Sequence, residues 1–395
     1  MNKIIKEAKN ELIVKVEADN SEHWIIPHAA DTAYFTHGYF RYIGKFPPQI
    51  ASKLIDDYYP GKGKILDPMV GGGTVLIESI LRGIKCEGWD INPTSILIAK
   101  CVSRHVESSL YQEAGEKILN GLSVINNDNS IFNYQGNSWI KKGLHLKYCN
   151  EYFDAKTQEE LEYALYVVDE VSKKDKSVSD LILLTILSCL RRISYANVKK
   201  MNIELDLEKK TKTSLSKEFS RKFSNILKIN NELPSKFTMN LAQIYENDAM
   251  CWPSIDKFSM IIIHPPYLTN TAFSESTQLQ LAILGINHKN IWKKELRCRG
   301  SFLHEPNGLK KYITNWARII KSAAQSLTKG GILATVVGDG QIEHVRIPIG
   351  MMTVELGADT GLKLVKKSFH ILNNQTGQTQ NKKMKGQHVV IFQKH

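Results

Sequence analysis

Residues 61–93, GKGKILDPMVGGGTVLIESILRGIKCEGWDINP, constrain the fold more than any other stretch of the 395-residue chain. Two short apolar runs, KIL and IKCEGW, flank VLIESIL, whose apolar positions recur at helical spacing. Gly71, Gly72 and Gly73 join the first run to the helix, and Gly83 closes the helix. Strand, helix and strand in that order form a β-α-β unit, whose strands lie parallel and whose helix covers one face.

The pattern recurs downstream. AQIYENDA, FSMIIIHPPY and GGILATVVGDG read as further strands, and LVKKSFHIL with QHVVIFQK as a closing antiparallel pair. LKKYITNWARIIKSAAQSLTKGG reads as a helix, and Pro47-Pro48 opens another with Ile50, Leu54 and Ile55 on one face. The expected fold is α/β: a doubly wound, mostly parallel, seven-stranded Rossmann-like sheet. Between about 100 and 235 the texture becomes helical, with TQEELEYALYVVDEVSKK and VSDLILLTILSCLRRISYA. Residues 1–100 and 236–395 are therefore expected to form the catalytic domain, and 101–235 a mainly helical insertion.

The turn DPMVGGGT sits at the carboxyl end of its strand, where open α/β sheets bind ligands. Its glycines allow close backbone approach. Asp90 ends the next strand 23 residues after Asp67, a spacing suited to holding ribose hydroxyls. Neither Gly-x-Gly-x-x-Gly nor Gly-Lys-Ser/Thr is present, which disfavours NAD and ATP. An acid inside the turn would repel a pyrophosphate but suits a cationic ligand such as S-adenosyl-L-methionine. A plain strand-helix turn with capping residues is the bland alternative.

At IIIHPPYL (261–268) a buried apolar run meets two prolines, which end a strand because proline lacks a ladder donor. FPPQIASKLIDDYYPGKGKILDPMVGGGTVLIESILRGIKCEGWDINP resembles the cofactor half, and NDAMCWPSIDKFSMIIIHPPY the catalytic half, of DNA methyltransferases acting on exocyclic amino groups, nearest the cytosine-N4 type. The resemblance covers about 35–100 and 240–395. It implies that Lys45, Phe46 and Pro47, with Asp67, Pro68, Gly71, Gly73 and Thr74, surround the methionine end of S-adenosyl-L-methionine. Asp90 and Ile91 would hold the ribose, Asp248 and Ala249 the adenine, and the Gly338-Asp339-Gly340 turn would lie near the pocket. His264, Pro265, Pro266 and Tyr267 would form the catalytic motif. His264 departs from the Ser, Asp or Asn usual in that family, which leaves the target base and turnover itself open.

Methyl transfer needs the flat base amine to turn its lone pair toward the donor, with two acceptors taking its N–H groups. The expected acceptors are the side chain of His264 and the carbonyl of Pro265, with Tyr267 as an exposed stacking face for a flipped base. Only neutral imidazole can accept, so transfer is expected to fall on acidification.

The net charge of +12 is uneven: 12 Lys and Arg face 5 Asp and Glu between 181 and 240, and 10 face 2 between 286 and 330. LRRISYANVKK and IWKKELRCRGSFLH supply Arg191, Arg192, Lys199, Lys293, Lys294, Arg297 and Arg299 as DNA-contact candidates; a solvated face is the alternative for each. The expected partners are double-stranded DNA and a restriction endonuclease reading the same site. An RNA base methyltransferase and a silent cofactor- and DNA-binding protein remain as alternatives. A C5-cytosine enzyme needs a nucleophilic Pro-Cys, which is absent, and a protein-glutamine methyltransferase fits the basic segments less well. Six separated cysteines argue against a zinc site or a disulfide framework, and no run is long enough to span a bilayer, so no metal, no membrane and a cytoplasmic setting are expected.

Overall fold

The computed structural model describes residues 12–18, 21–127, 151–206, 208, 213–252, 257–268, 272–296, 307–342, 344–372 and 386–395. Eleven strands appear among them: β1 (Ile13–Val16), β2 (Glu22–Ile25), β3 (Ile65–Asp67), β4 (Cys86–Asp90), β5 (Ala242–Glu246), β6 (Phe258–Ile263), β7 (Leu327–Val337), β8 (Gly340–Ile342), β9 (Val345–Ile347), β10 (Leu362–Ile371) and β11 (Gly386–Lys394). Nine form one sheet in the order β1-β2-β10-β11-β7-β6-β3-β4-β5. From β7 through β6, β3 and β4 to β5 all pairings are parallel, whereas β11 runs antiparallel to both β7 and β10.

The expected seven strands are the run from β10 to β5. The sheet exceeds them because the β1-β2 hairpin adds itself beside β10, with β2 parallel to β10. β1 is exposed at every position, so no buried alternation marks it in the sequence. β8 and β9 form a separate hairpin of three residues each.

β6 explains the alternation of the core. Met260 and Ile262 join the core on one face, Ile261 and Ile263 the core on the other. A strand buried on both faces reads as an unbroken apolar run, as III does. Helices Pro48–Tyr58, Thr74–Leu81 and Pro93–Val102 cover the first face and Gly308–Ser326 the second. The helices Ser108–Asn127, Ala155–Ser172, Lys176–Ile193 and Leu215–Asn231 share the first core with Met260 and Ile262. The helical segment thus builds on the sheet's own core. Among the described residues no helix is long and apolar enough to cross a membrane.

Candidate active site

Strand order reverses between β6 and β3, since β3, β4 and β5 follow one another in one direction while β6 and β7 extend in the other. The carboxyl ends of β6, β3 and β4 are therefore neighbours, and each ends in a residue singled out above: His264, Asp67 and Asp90. They line one cavity of about 800 Å³, including its open mouth.

Asp67 is buried, and its Oδ1 accepts from the Met69 N–H at 3.0 Å. Burial, with the charge of Asp90 adding to it, pushes its carboxyl up to about 7. Asp90 accepts from the Gly71 N–H at 2.9 Å and the Asn92 N–H at 2.8 Å, one on each oxygen. Burial pushes it up to about 6 despite those bonds. The Ser95 side chain and the Ile91 N–H also bond this carboxyl. Both carboxyls face the cavity from the ends of adjacent strands.

The turn leaves room for a ligand. Gly71 has φ +45° and Gly73 φ +79°. A Cβ on Gly72 would stand 3.1 Å from the Tyr42 Cβ and 3.4 Å from the Lys45 Cδ, so a side chain would narrow the cavity. The rest of that wall comes from residues 34–46, which a buried carboxylate anchors. Glu78 accepts from the Tyr34 hydroxyl at 2.7 Å, from His37 Nε2 at 3.0 Å and from Arg82 Nη1 at 2.7 Å. Burial pushes His37 down to about 4, so it donates as a neutral ring. Lys45, pushed down to about 8 by burial, donates to the His37 carbonyl at 2.9 Å.

Of the expected cofactor residues, Lys45, Phe46, Asp67, Pro68, Gly71, Thr74, Asp90, Ile91, Asp248 and Ala249 line the cavity. Pro47 and Gly73 do not. Pro47 caps the Pro48–Tyr58 helix, and Gly73 caps Thr74–Leu81 with its α-carbon turned toward Val102. The Gly338-Asp339-Gly340 turn is also absent from the lining. Asp339 instead accepts from Arg346, from the Gly350 N–H at 3.0 Å and from His388.

The lining adds residues that sequence reasoning missed. Tyr42 lies parallel to Phe273 with ring centroids 5.8 Å apart, and Glu295 and Leu296 complete that side. Glu295 and Leu296 lie in IWKKELRCRGSFLH, read above only for its basic residues, and Phe273 has no motif around it. Asn92 ties the two regions, donating from Nδ2 to Thr277 Oγ1 at 3.1 Å.

In the motif, His264 packs against Phe46, ring centroids 4.9 Å apart, and its Nε2 lies 2.8 Å from the Tyr267 hydroxyl. Burial pushes the imidazole down to about 3, with His370 adding to the effect. The ring is neutral, as expected, but it does not titrate near neutrality. Tyr267 corrects an expectation: it is half-buried, its hydroxyl points inward to His264 and Gln387, and it does not line the cavity. Pro265 is buried. Tyr312 donates to the Pro266 carbonyl at 3.0 Å, while no described residue donates to that of Pro265.

The basic candidates separate. Arg191 binds the carbonyls of Lys200 and Met201, the second at 2.7 Å, and so clamps the loop that follows its helix. Arg192 is 62% exposed and 3.6 Å from Glu218, and Lys199 is exposed. Lys293 and Lys294 are exposed beside the cavity, and Lys294 is part of its lip. Arg297 and Arg299 lie outside the described residues.

No family model matches the chain. It is 33% identical over 87 residues to the type II methyltransferase M.MvaI of Kocuria varians, a stretch that covers 21% of this chain and 19% of that protein. Over 64 residues it is 38% identical to the type II methyltransferase M.MjaII of Methanocaldococcus jannaschii, covering 16% and 12%. Among solved structures, a SAM-dependent methyltransferase of Methanosarcina mazei aligns with TM-score 0.33 and 12% identity over 86% of this chain and 96% of that one. The rRNA methyltransferase aviRa of Streptomyces viridochromogenes aligns with TM-score 0.30 and 12% identity over 89% and 88%. The chain is thus similar to type II methyltransferases over stretches that span less than a fifth of their length.

Proposed function

We propose that the protein is an S-adenosyl-L-methionine-dependent methyltransferase acting on an exocyclic base amine of double-stranded DNA, cytosine N4 ahead of adenine N6. One observation carries the reading: a single cavity joins two buried carboxyls to the His-Pro-Pro strand end. The local likeness to type II methyltransferases supports it, and a nuclease reading the same DNA site belongs to the same proposal.

When bound, S-adenosyl-L-methionine supplies an electrophilic methyl group on a sulfonium sulfur. Asp67 and Lys45 are placed for the charged amino-acid end, and Asp90 for paired hydroxyls. Asp248, whose Oδ1 already accepts from the Met250 N–H at 2.8 Å, has a second oxygen for an adenine amine. The Pro265 carbonyl accepts one N–H of the target amine, and His264 is the side chain nearest to accept the other. Exposed Lys293, Lys294, Arg192 and Lys199 would meet phosphates, a contact that weakens steeply with salt. Transfer of tritium from labelled S-adenosyl-L-methionine to duplex DNA, followed by digestion to nucleosides, tests the proposal and identifies the base. Label appearing only in RNA would replace DNA as substrate, and label in neither would leave a binding protein.

A further inference from the structure

Beneath the motif lies a chain of polar side chains that the reaction outlined above does not use. His264 Nε2 meets the Tyr267 hydroxyl at 2.8 Å. That hydroxyl meets Gln387 Nε2, and Gln387 Oε1 meets His370 Nδ1 at 2.9 Å. Gln387 and His370 are buried and stand directly opposite each other on β11 and β10. The pairing fixes both at the sheet edge where β6 delivers the motif. Neither residue lines the cavity, but His264 does.

Hydrogen counting links the far end of this chain to the near one. With the Gln387 amide as it stands, its NH2 donates to Tyr267, and its carbonyl accepts from His370 Nδ1–H. The Tyr267 hydrogen then goes to His264 Nε2. A neutral imidazole carries one proton, so it resides on Nδ1, the ring nitrogen that Tyr267 does not engage, which becomes a donor. Turning the amide end for end reverses every bond. The Gln387 carbonyl takes the Tyr267 hydrogen, His264 Nε2–H donates to the Tyr267 oxygen, and Nδ1 presents a lone pair. Among heavy atoms only the Gln387 amide nitrogen and oxygen exchange places.

We infer that Gln387 and His370 are positioning residues that decide, through Tyr267, which ring nitrogen of His264 carries its proton. Resting on the amine reading proposed above, the working form is the one in which the Gln387 carbonyl faces Tyr267 and Nδ1 accepts. Without the relay both tautomers coexist, and only the accepting fraction is competent.

The test reads the tautomer directly, by 15N resonances of histidine-labelled protein at pH 8, with His264 assigned by its loss in His264→Asn. Wild type is expected to show one dominant tautomer. Gln387→Glu places an acceptor at both ends of the relay, so the Nδ1 lone-pair form should dominate. Gln387→Met, close in shape but unable to relay, should give a mixture, and so should His370→Phe, which leaves Gln387 in place. Methyl transfer should fall in Gln387→Met in proportion to the lost lone-pair form, about twofold for an even mixture, and recover in Gln387→Glu, with cofactor affinity unchanged in both. An identical His264 pattern in wild type and all variants overturns the inference even where DNA is methylated. Absence of methylation by wild type, with the tautomer shifting as stated, overturns the amine reading and leaves the relay standing.

Discussion

Asp67 and Asp90 stand at the carboxyl ends of adjacent parallel strands, and burial pushes both carboxyls upward, to about 7 and about 6. An ammonium at Asp67 and hydroxyl donors at Asp90 favour their ionised forms, so binding expels protons and low pH opposes it. Affinity for S-adenosyl-L-methionine should therefore strengthen as pH rises through 6 and 7, by up to about tenfold per unit for each linked proton. Titration calorimetry from pH 5.5 to 8.5, with Asp67→Asn alongside, reads this; equal affinity across the range would refute it. The free protein should show the opposite trend. Acids raised in the folded state contribute stability below their unfolded values near 4, and that contribution is lost as pH rises through 6 and 7.

The same numbers move the acid limb of the rate away from His264. A ring pushed down to about 3 stays neutral from pH 5 to 8, so any acid loss in that window should follow the two carboxyls. The ratio of kcat to KM should fall below pH 7 while kcat at saturating cofactor stays nearly flat. A kcat that itself titrates near 6.5 would return the limb to the histidine. His264→Ala should lower kcat by about a hundredfold, as expected for removal of a group that meets the reacting amine.

Tyr312→Phe removes the donor to the Pro266 carbonyl. A single hydrogen bond of this kind contributes about 1 kcal/mol. Unfolding in urea should show a loss near that size. Methyl transfer should slow more than cofactor affinity drops, because Tyr312 does not line the cavity.

Glu78→Ala should destabilise the fold by about 3–5 kcal/mol, because it leaves Arg82 without one of its buried partners. It should also weaken cofactor binding, since Lys45 and Tyr42 lie on the segment that Glu78 anchors. A variant with normal affinity would show that the segment holds its shape without the anchor.

Gly72→Ala and Gly73→Ala separate two uses of one turn. At Gly73 a Cβ would meet Val102 Cγ2 at 2.6 Å in left-handed backbone, and a stability loss of about 1–3 kcal/mol is expected. At Gly72 the contacts are looser and face Tyr42 and Lys45, so affinity should suffer more than stability. Thermal melts with and without the cofactor distinguish the two.

What could be read in advance follows from how locally it is encoded. The β-α-β unit, the acids at strand ends and the His-Pro-Pro stop each depend on a few neighbouring residues, and the structure brings them together. Pro47 and Gly73 sit inside the right motifs yet turn away from the cavity, because helix capping fixes their direction. β1 escaped notice because an exposed strand has no buried alternation, and β2 because four residues with Trp24 alone fully buried show no period. Phe273 and Glu295 reach the cavity through the fold alone. Gln387 was equally invisible, for it meets a tyrosine 120 positions earlier in the chain.

β11 lies between β7 and β10 with its neighbours running the other way. Gln387 is held there by its pairing with His370 on β10, one residue after β11 begins and one before the ladder with β7 starts. In the relay under the motif, one amide and the hydrogens around it are all that change address. A ligand could reset such an arrangement by the turn of one buried amide, leaving the outline of every side chain unchanged.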